Sequence, residues 1–308
     1  MSNTQYDPRL QVHIAGITLT NPVLPASGTF EFGHVHNRLM NPARLGAIVN
    51  KTIFLEERPG NPPPRIIETP CGMLNAIGIP SKGTDAFISD TLPRLKSIGA
   101  PLIISIAGST IEEFCEVARR IEASGQADLL ELNLSCPNIS QGLEWSQDEK
   151  ALAAVITAVK QTVELPLVSK LSPSVRDIAR MGKVAEEAGA DALSLINSYK
   201  GMAIDIHKRQ PFLGNITGGM SGPAIHPLAV YAVYSVYAAT SLPIIGMGGI
   251  SNWQEALEIM MAGATAVAVG MYNFINPRAM IDIIDKLSTY CSEAGLDSIE
   301  EIIGSAHK

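Results

Sequence analysis

The chain lacks the features that mark several large protein classes. Its four cysteines, at 71, 115, 136 and 291, are scattered and form no CxxC pair. That spacing suits neither a zinc site, nor an iron–sulfur cluster, nor the disulfide framework of a small secreted domain. Basic residues are not in excess: 23 Lys and Arg against 30 Asp and Glu leave a net charge of −7, which argues against an extended nucleic-acid surface. The opening MSNTQYDPRLQVH has no apolar core of the kind a signal peptide needs, and no window approaches the roughly 18 apolar residues of a membrane span. No convincing GxGxxG lies between a strand and a helix, so direct use of NAD is not expected. Together these absences point to a cytoplasmic protein that binds neither nucleic acid nor membrane.

What the chain has is apolar sequence in short, evenly spaced runs. At 308 residues and 46% apolar it can bury a large core, and α/β barrels of this length commonly form one domain, here expected over 1–308. The runs are PVLPASG (22–28), AIVNKT (47–52), PLIISIAG (101–108), LLELNLSCP (129–137), PLVSKLSP (166–173), ALSLINS (192–198), PIIGMGG (243–249) and AVAVGM (266–271). Stretches 110–124, 148–163, 174–189, 226–240 and 251–263 have helical apolar spacing. Eight alternating units predict an α/β protein, a (β/α)8 TIM barrel, with an N-terminal β-hairpin, LQVHIAGITLT, across its bottom.

Polar residues collect where such strands end. In LLELNLSCPN (129–138) the leucines alternate with Glu131, Asn133 and Ser135, so one face is apolar and the other carries hydrogen-bonding groups that should not lie in a sealed core. In a barrel, the carboxyl ends of the strands and the loops beyond them form the ligand site. Ser27, Lys51, Ser105, Asn133, Lys170, Asn197, Gly248 and Gly249 should therefore converge on one mouth. Amides and two lysines with no acidic partner nearby in sequence suit a planar, anionic or carbonyl-rich ligand. Cys115, on a helical face with Ile111, Phe114, Ala118 and Ile121, and Cys291, in a terminal helix, read as packing residues.

Late glycines supply a second element. Gly248 and Gly249 follow the seventh run, with Ser251 expected to cap the next helix and Glu255 in its first turn; Gly270 ends the eighth. Barrel loops at these places commonly bind phosphate, because glycine lets backbone N–H groups approach the oxygens. ITGGMSGPAIHP (216–227) is a further glycine-rich stretch ahead of a helix. GNPPPRIIETPCG (60–72) is long and proline-rich enough to form a lid over substrate.

PASGTFEFG, GNPPPR, GMLNAIG, ELNLSCPN, KLSP, ITGGMSGPAI, PIIGMGG and AGATAVAVG occur in that order from residue 25 to residue 270. The set resembles the flavin-dependent dihydroorotate dehydrogenases of pyrimidine synthesis. ELNLSCPN alone is shared with other dihydropyrimidine-oxidising enzymes, whereas GNPPPR and NAIG beside it resemble the NAD-linked, two-subunit bacterial class. The resemblance implies one FMN at the mouth of the barrel and dihydroorotate stacked on it, with proton loss from C5 and hydride loss from C6. It assigns Cys136 as the general base, a role open to a thiol whose thiolate is locally supported.

The same resemblance places Lys51, Asn75, Ala76, Ile77, Gly78, Ile79, Asn133, Asn138, Asn197 and Ser198 against the substrate. It places Ser27, Lys51, Thr52, Ser105, Asn133, Lys170, Ile196, Gly222, Gly248, Gly249, Gly270 and Met271 against FMN, with Lys170 near the pyrimidine edge of the flavin. It further implies an iron–sulfur partner subunit carrying FAD and [2Fe-2S], in a heterotetramer built on a homodimer of this chain. Three positions depart from the pattern: Ser105 replaces an asparagine, Glu31 stands in place of glycine, and Met271 in place of threonine. Cys71, just ahead of GMLNAIG, is expected to be structural. A dehydrogenase for another dihydropyrimidine and a non-catalytic flavin- or pyrimidine-binding paralogue are the alternatives.

Overall fold

The structure is a computed structural model and describes residues 6–30, 39–134 and 145–307. Eight parallel strands form its centre: Val23–Pro25, Ile48–Val49, Leu102–Ile106, Leu129–Asn133, Leu167–Lys170, Ala192–Leu195, Ile244–Met247 and Ala266–Val269. From the second strand on, each pairs with the next in chain order, and the eighth pairs with the first through Val267 and Val23. At the seam between the first two strands, the Gly46 N–H donates to the Val23 carbonyl at 2.9 Å. A Cβ at position 46 would collide with the Asn21 carbonyl, so the seam closes because this residue is glycine. The eight predicted runs are all present. They are shorter than read, because their last residues leave the ladder to shape the mouth.

Helices Ile111–Ala123, Glu149–Lys160, Ile178–Glu187, His226–Tyr237 and Trp253–Met261 fall within the five predicted stretches, and Ala279–Ala294 closes the outer ring. Three begin at an acid or hydroxyl N-cap: Thr110 accepts from the Glu113 N–H, Asp148 from Ala151 and Asp177 from Arg180. The expected cap of Trp253–Met261 is displaced by one residue. Asn252 accepts from the Glu255 N–H, while the Ser251 N–H and hydroxyl both turn to the Glu255 carboxylate. Leucine, isoleucine and valine from both strand faces and the inner helix faces make a continuous core. In Ile111–Ala123, Phe114, Val117, Ala118 and Ile121 are buried and Cys115 packs beside them; in the last helix burial pushes the Cys291 thiol up.

Strands Val12–Ile14 and Ile17–Leu19 make the predicted hairpin. The hairpin ends just ahead of the first barrel strand, and so lies at the amino-terminal end of the barrel. The sequence did not predict the four-stranded antiparallel sheet formed by Tyr199–Gly201, Gly218–Ser221, Gly72–Asn75 and Ile66–Thr69. Its strands belong to the connections that leave the second and sixth barrel strands, so the sheet stands at the carboxyl-terminal face. The stretch read as a long lid loop is thus partly a strand pair, tied by Met73 to Glu68 and by Asn75 to Gly219. Among the described residues, no helix is long and apolar enough to cross a membrane.

Candidate active site

The carboxyl-terminal mouth holds a cavity of about 350 Å³, within the range of small-molecule sites. Barrel strand ends supply Ser27, Lys51, Thr52, Asn133, Lys170, Ile196 and Asn197, and the antiparallel sheet supplies Met73, Asn75 and Ser221 from above. Gly222, Gly248, Gly249, Gly270 and Met271 line the side formed by the glycine-rich loops, and Ile77, Gly78, Ile79 and Ser198 complete the wall. Ala76 and Ser105 stand behind this wall, both fully buried. Cys136, Asn138 and Glu31 lie outside the described residues.

A hydroxyl and amide cluster forms the floor. The Ser105 Oγ lies 2.8 Å from Thr52 Oγ1 and 3.2 Å from Ser27 Oγ, and Asn133 Nδ2 donates to Thr52 Oγ1 at 3.0 Å. Asn50, whose partners lie within this cluster, was missed in the sequence, where it reads as one more polar residue in AIVNKT. Its side-chain oxygen accepts from the Ser105 N–H at 2.6 Å, and its Nδ2 donates to the Lys51 carbonyl at 2.8 Å. Asn50 therefore ties the second strand end to the third and fixes where Lys51 leaves the backbone. Ser105 is confined by Thr52, Ser27 and Asn50, which accounts for a small residue at that position.

Lys170 has an acidic partner that the sequence reading did not supply. Its Nζ lies 3.6 Å from Glu131 Oε1, and the Ser194 hydroxyl donates to Glu131 Oε2 at 3.0 Å. Glu131 is 2% exposed, so the polar face of LLELN is sealed inside the barrel at Glu131, and Asn133, one pleat further on, reaches the cavity. Alternation places both side chains on the same face, and depth in the barrel decides which one meets ligand. Along the described wall there are two lysines and no carboxylate, which favours a ligand with negative charge.

Two observations fit this wall to a planar ligand bearing a phosphate. Asn133 Oδ1 is buried and has no hydrogen-bond partner among the described residues, as expected of an acceptor completed by a ligand N–H. Gly248 and Gly249 lie at φ 142° and 67°, and a Cβ at position 249 would come within 2.7 Å of the His226 Cβ and 2.8 Å of the Gly222 carbonyl oxygen. Glycine is required for this turn to reach the cavity wall. On the opposite side, Gly78 and Ile79 both have positive φ, 76° and 46°; the conformation is unusual for a β-branched residue, and Ile79 lines the cavity. Cys71 is exposed at the turn between Ile66–Thr69 and Gly72–Asn75, and its carbonyl accepts from the Ala224 N–H.

Fold and wall together define a (β/α)8 barrel whose polar, cationic mouth suits a planar anionic ligand. The chain belongs to the dihydroorotate dehydrogenase family, whose model matches residues 9–290. It is 48% identical over 298 residues to the protein named dihydroorotate dehydrogenase B (NAD(+)), catalytic subunit, of Desulforudis audaxviator, covering 96% of this chain and 97% of that protein. It is 45% identical over 299 residues to the protein of the same name from Geobacter sulfurreducens, covering 97% and 98%. The fold is similar to a crystal structure of DHODH from Eimeria tenella in complex with ferulenol, with a TM-score of 0.82 at 24% identity, covering 100% of this chain and 91% of that one.

Proposed function

We propose that this chain oxidises dihydroorotate to orotate, as the catalytic subunit of an NAD-linked enzyme of pyrimidine synthesis. The observation that carries the reading is the buried Asn133 amide, held by Thr52 and with Oδ1 unpartnered among the described residues, in a cavity wall that also carries Lys51 and Lys170. Bound FMN would supply a two-electron acceptor for the C6 hydride of the substrate. Asn133 would accept from a flavin ring N–H, Lys170 would place positive charge at the pyrimidine edge, and Gly248, Gly249 and Gly270 would admit the phosphate. Ser27, Thr52, Ile196, Gly222 and Met271 would border the same group, with Ser105 acting through Thr52.

Asn75, Asn197 and Ser198, with Asn138, would hold the carboxylate and ring amides of the substrate. Neutral amides suit this task because each offers a donor and an acceptor. Lys51 would counter the carboxylate, and the segment 76–79 would cover the ring. Cys136 would take the C5 proton as general base. Two relatives named as catalytic subunits support a second subunit. We propose that this partner carries FAD and [2Fe-2S] and passes electrons to NAD, on a homodimer of this single-domain chain in the cytoplasm.

The substrate assignment is tested by difference absorbance on the FMN-loaded protein. Orotate should perturb the flavin band with saturation while uracil does not. Equal responses to both would move the reading to a neutral dihydropyrimidine. The purified chain alone should not reduce NAD, and reduction without an added carrier would contradict the partner.

A further inference from the structure

His226 is buried at the start of helix His226–Tyr237, and no role proposed above uses it. Its Nδ1 lies 2.9 Å from the Gly248 carbonyl oxygen and its Nε2 lies 3.0 Å from Glu258 Oε2 on the next helix, Trp253–Met261. Both partner atoms are acceptors. The same residue packs under Gly249, where an added Cβ would meet the His226 Cβ, and Gly222, whose carbonyl closes on Gly249, receives the Ile225 N–H one residue before His226.

We propose that His226 is a positioning residue for phosphate binding: by bridging Gly248 and Glu258, its ring holds the glycine turn on the cavity wall. The ligand class is a phosphate monoester, and the proposal rests on the reading above that this turn receives the phosphate of FMN. Glu258 is 59% exposed on its side chain, so the clamp is anchored at the surface and its partner can be changed without opening the core. The arrangement acts on the phosphate end of the ligand and leaves the ring end, at Asn133 and Lys170, untouched.

The test compares FMN with riboflavin, which lacks the phosphate, by fluorescence quenching on the full chain stripped of flavin. The parent should prefer FMN. His226→Gln should cut that preference by roughly tenfold, the scale of a lost charge-assisted hydrogen bond. Glu258→Gln, which spares the core, should cut it by about threefold, and riboflavin affinity should stay unchanged in both. A loss equal for the two flavins, or a full FMN preference in Glu258→Gln with His226→Gln either alike or unfolded, overturns the role of His226. A parent that binds no flavin, or does not distinguish the two, overturns the FMN reading together with the proposal.

Discussion

Lys170 and Glu131 stand on adjacent barrel strands with Nζ and Oε1 3.6 Å apart and with only 6% and 3% of their side chains exposed. A buried pair at that distance gains less than a tight one, and the Ser194 hydroxyl satisfies only the other carboxylate oxygen. The pair is better explained as a means of setting a lysine at the buried floor of the cavity than as a source of stability.

Removing one member should therefore be costly. Glu131→Gln is expected to destabilise the flavin-free protein by about 3–5 kcal/mol, because it leaves an uncompensated ammonium in the barrel. Replacing both residues by methionine should recover most of that loss while flavin affinity stays low. Urea unfolding of the three proteins checks both statements, and equal stability of the single and double variants would contradict them.

Ser105 departs from the asparagine that the family resemblance calls for. It is fully buried and shares its hydroxyl with Thr52 and Ser27. Restoring the asparagine should thus harm this chain: Ser105→Asn is expected to cost about 1–3 kcal/mol through overpacking. Thermal unfolding would decide it, and a rise in Tm would show that the floor has room.

Acid stability should depend on Asp7, whose carboxyl is held down at about 2 by the Arg9 side chain, with further help from the Ser288 hydroxyl. A carboxylate whose folded pKa is depressed contributes stability above its unfolded value, near 3.8, and loses it as the pH falls toward 2. Asp7→Asn should be less stable than the parent at pH 6 and nearly equal to it near pH 2. A gap that persists at pH 2 would place the effect outside ionisation.

Gly249 tests the proposed phosphate side directly. Its φ of 67° and the nearby His226 Cβ and Gly222 carbonyl leave no room for a branched side chain. Gly249→Val should lose FMN binding by more than tenfold, measured by fluorescence quenching, an effect larger than either clamp substitution.

The eight strands were legible in the sequence because each is a short apolar run, most of them flanked by Gly or Pro, and the ring of helices because apolar residues recur at helical spacing. The antiparallel sheet over the mouth was not, since GMLN and GGMS have neither alternation nor β-branched enrichment, and IIET, which is β-branched, follows a proline-rich stretch that reads as loop; their pairing comes from the barrel placing two connections side by side. Glu131 shows a second limit. Its position on the polar face could be read from LLELN, but its partner could not, because Lys170 is reached through strand register and not through spacing. His226 and Asn50 were hidden for the same reason: their partners, Gly248, Glu258 and Ser105, sit on other elements.

The central claim is tested most directly by anaerobic absorbance spectroscopy of the FMN-loaded chain mixed with dihydroorotate, in the parent and in Cys136→Ala. Rapid bleaching of the flavin band in the parent, slowed at least a hundredfold in the variant, roughly the range of general-base catalysis, is the predicted result. A flavin band that dihydroorotate leaves unchanged in the parent would contradict it.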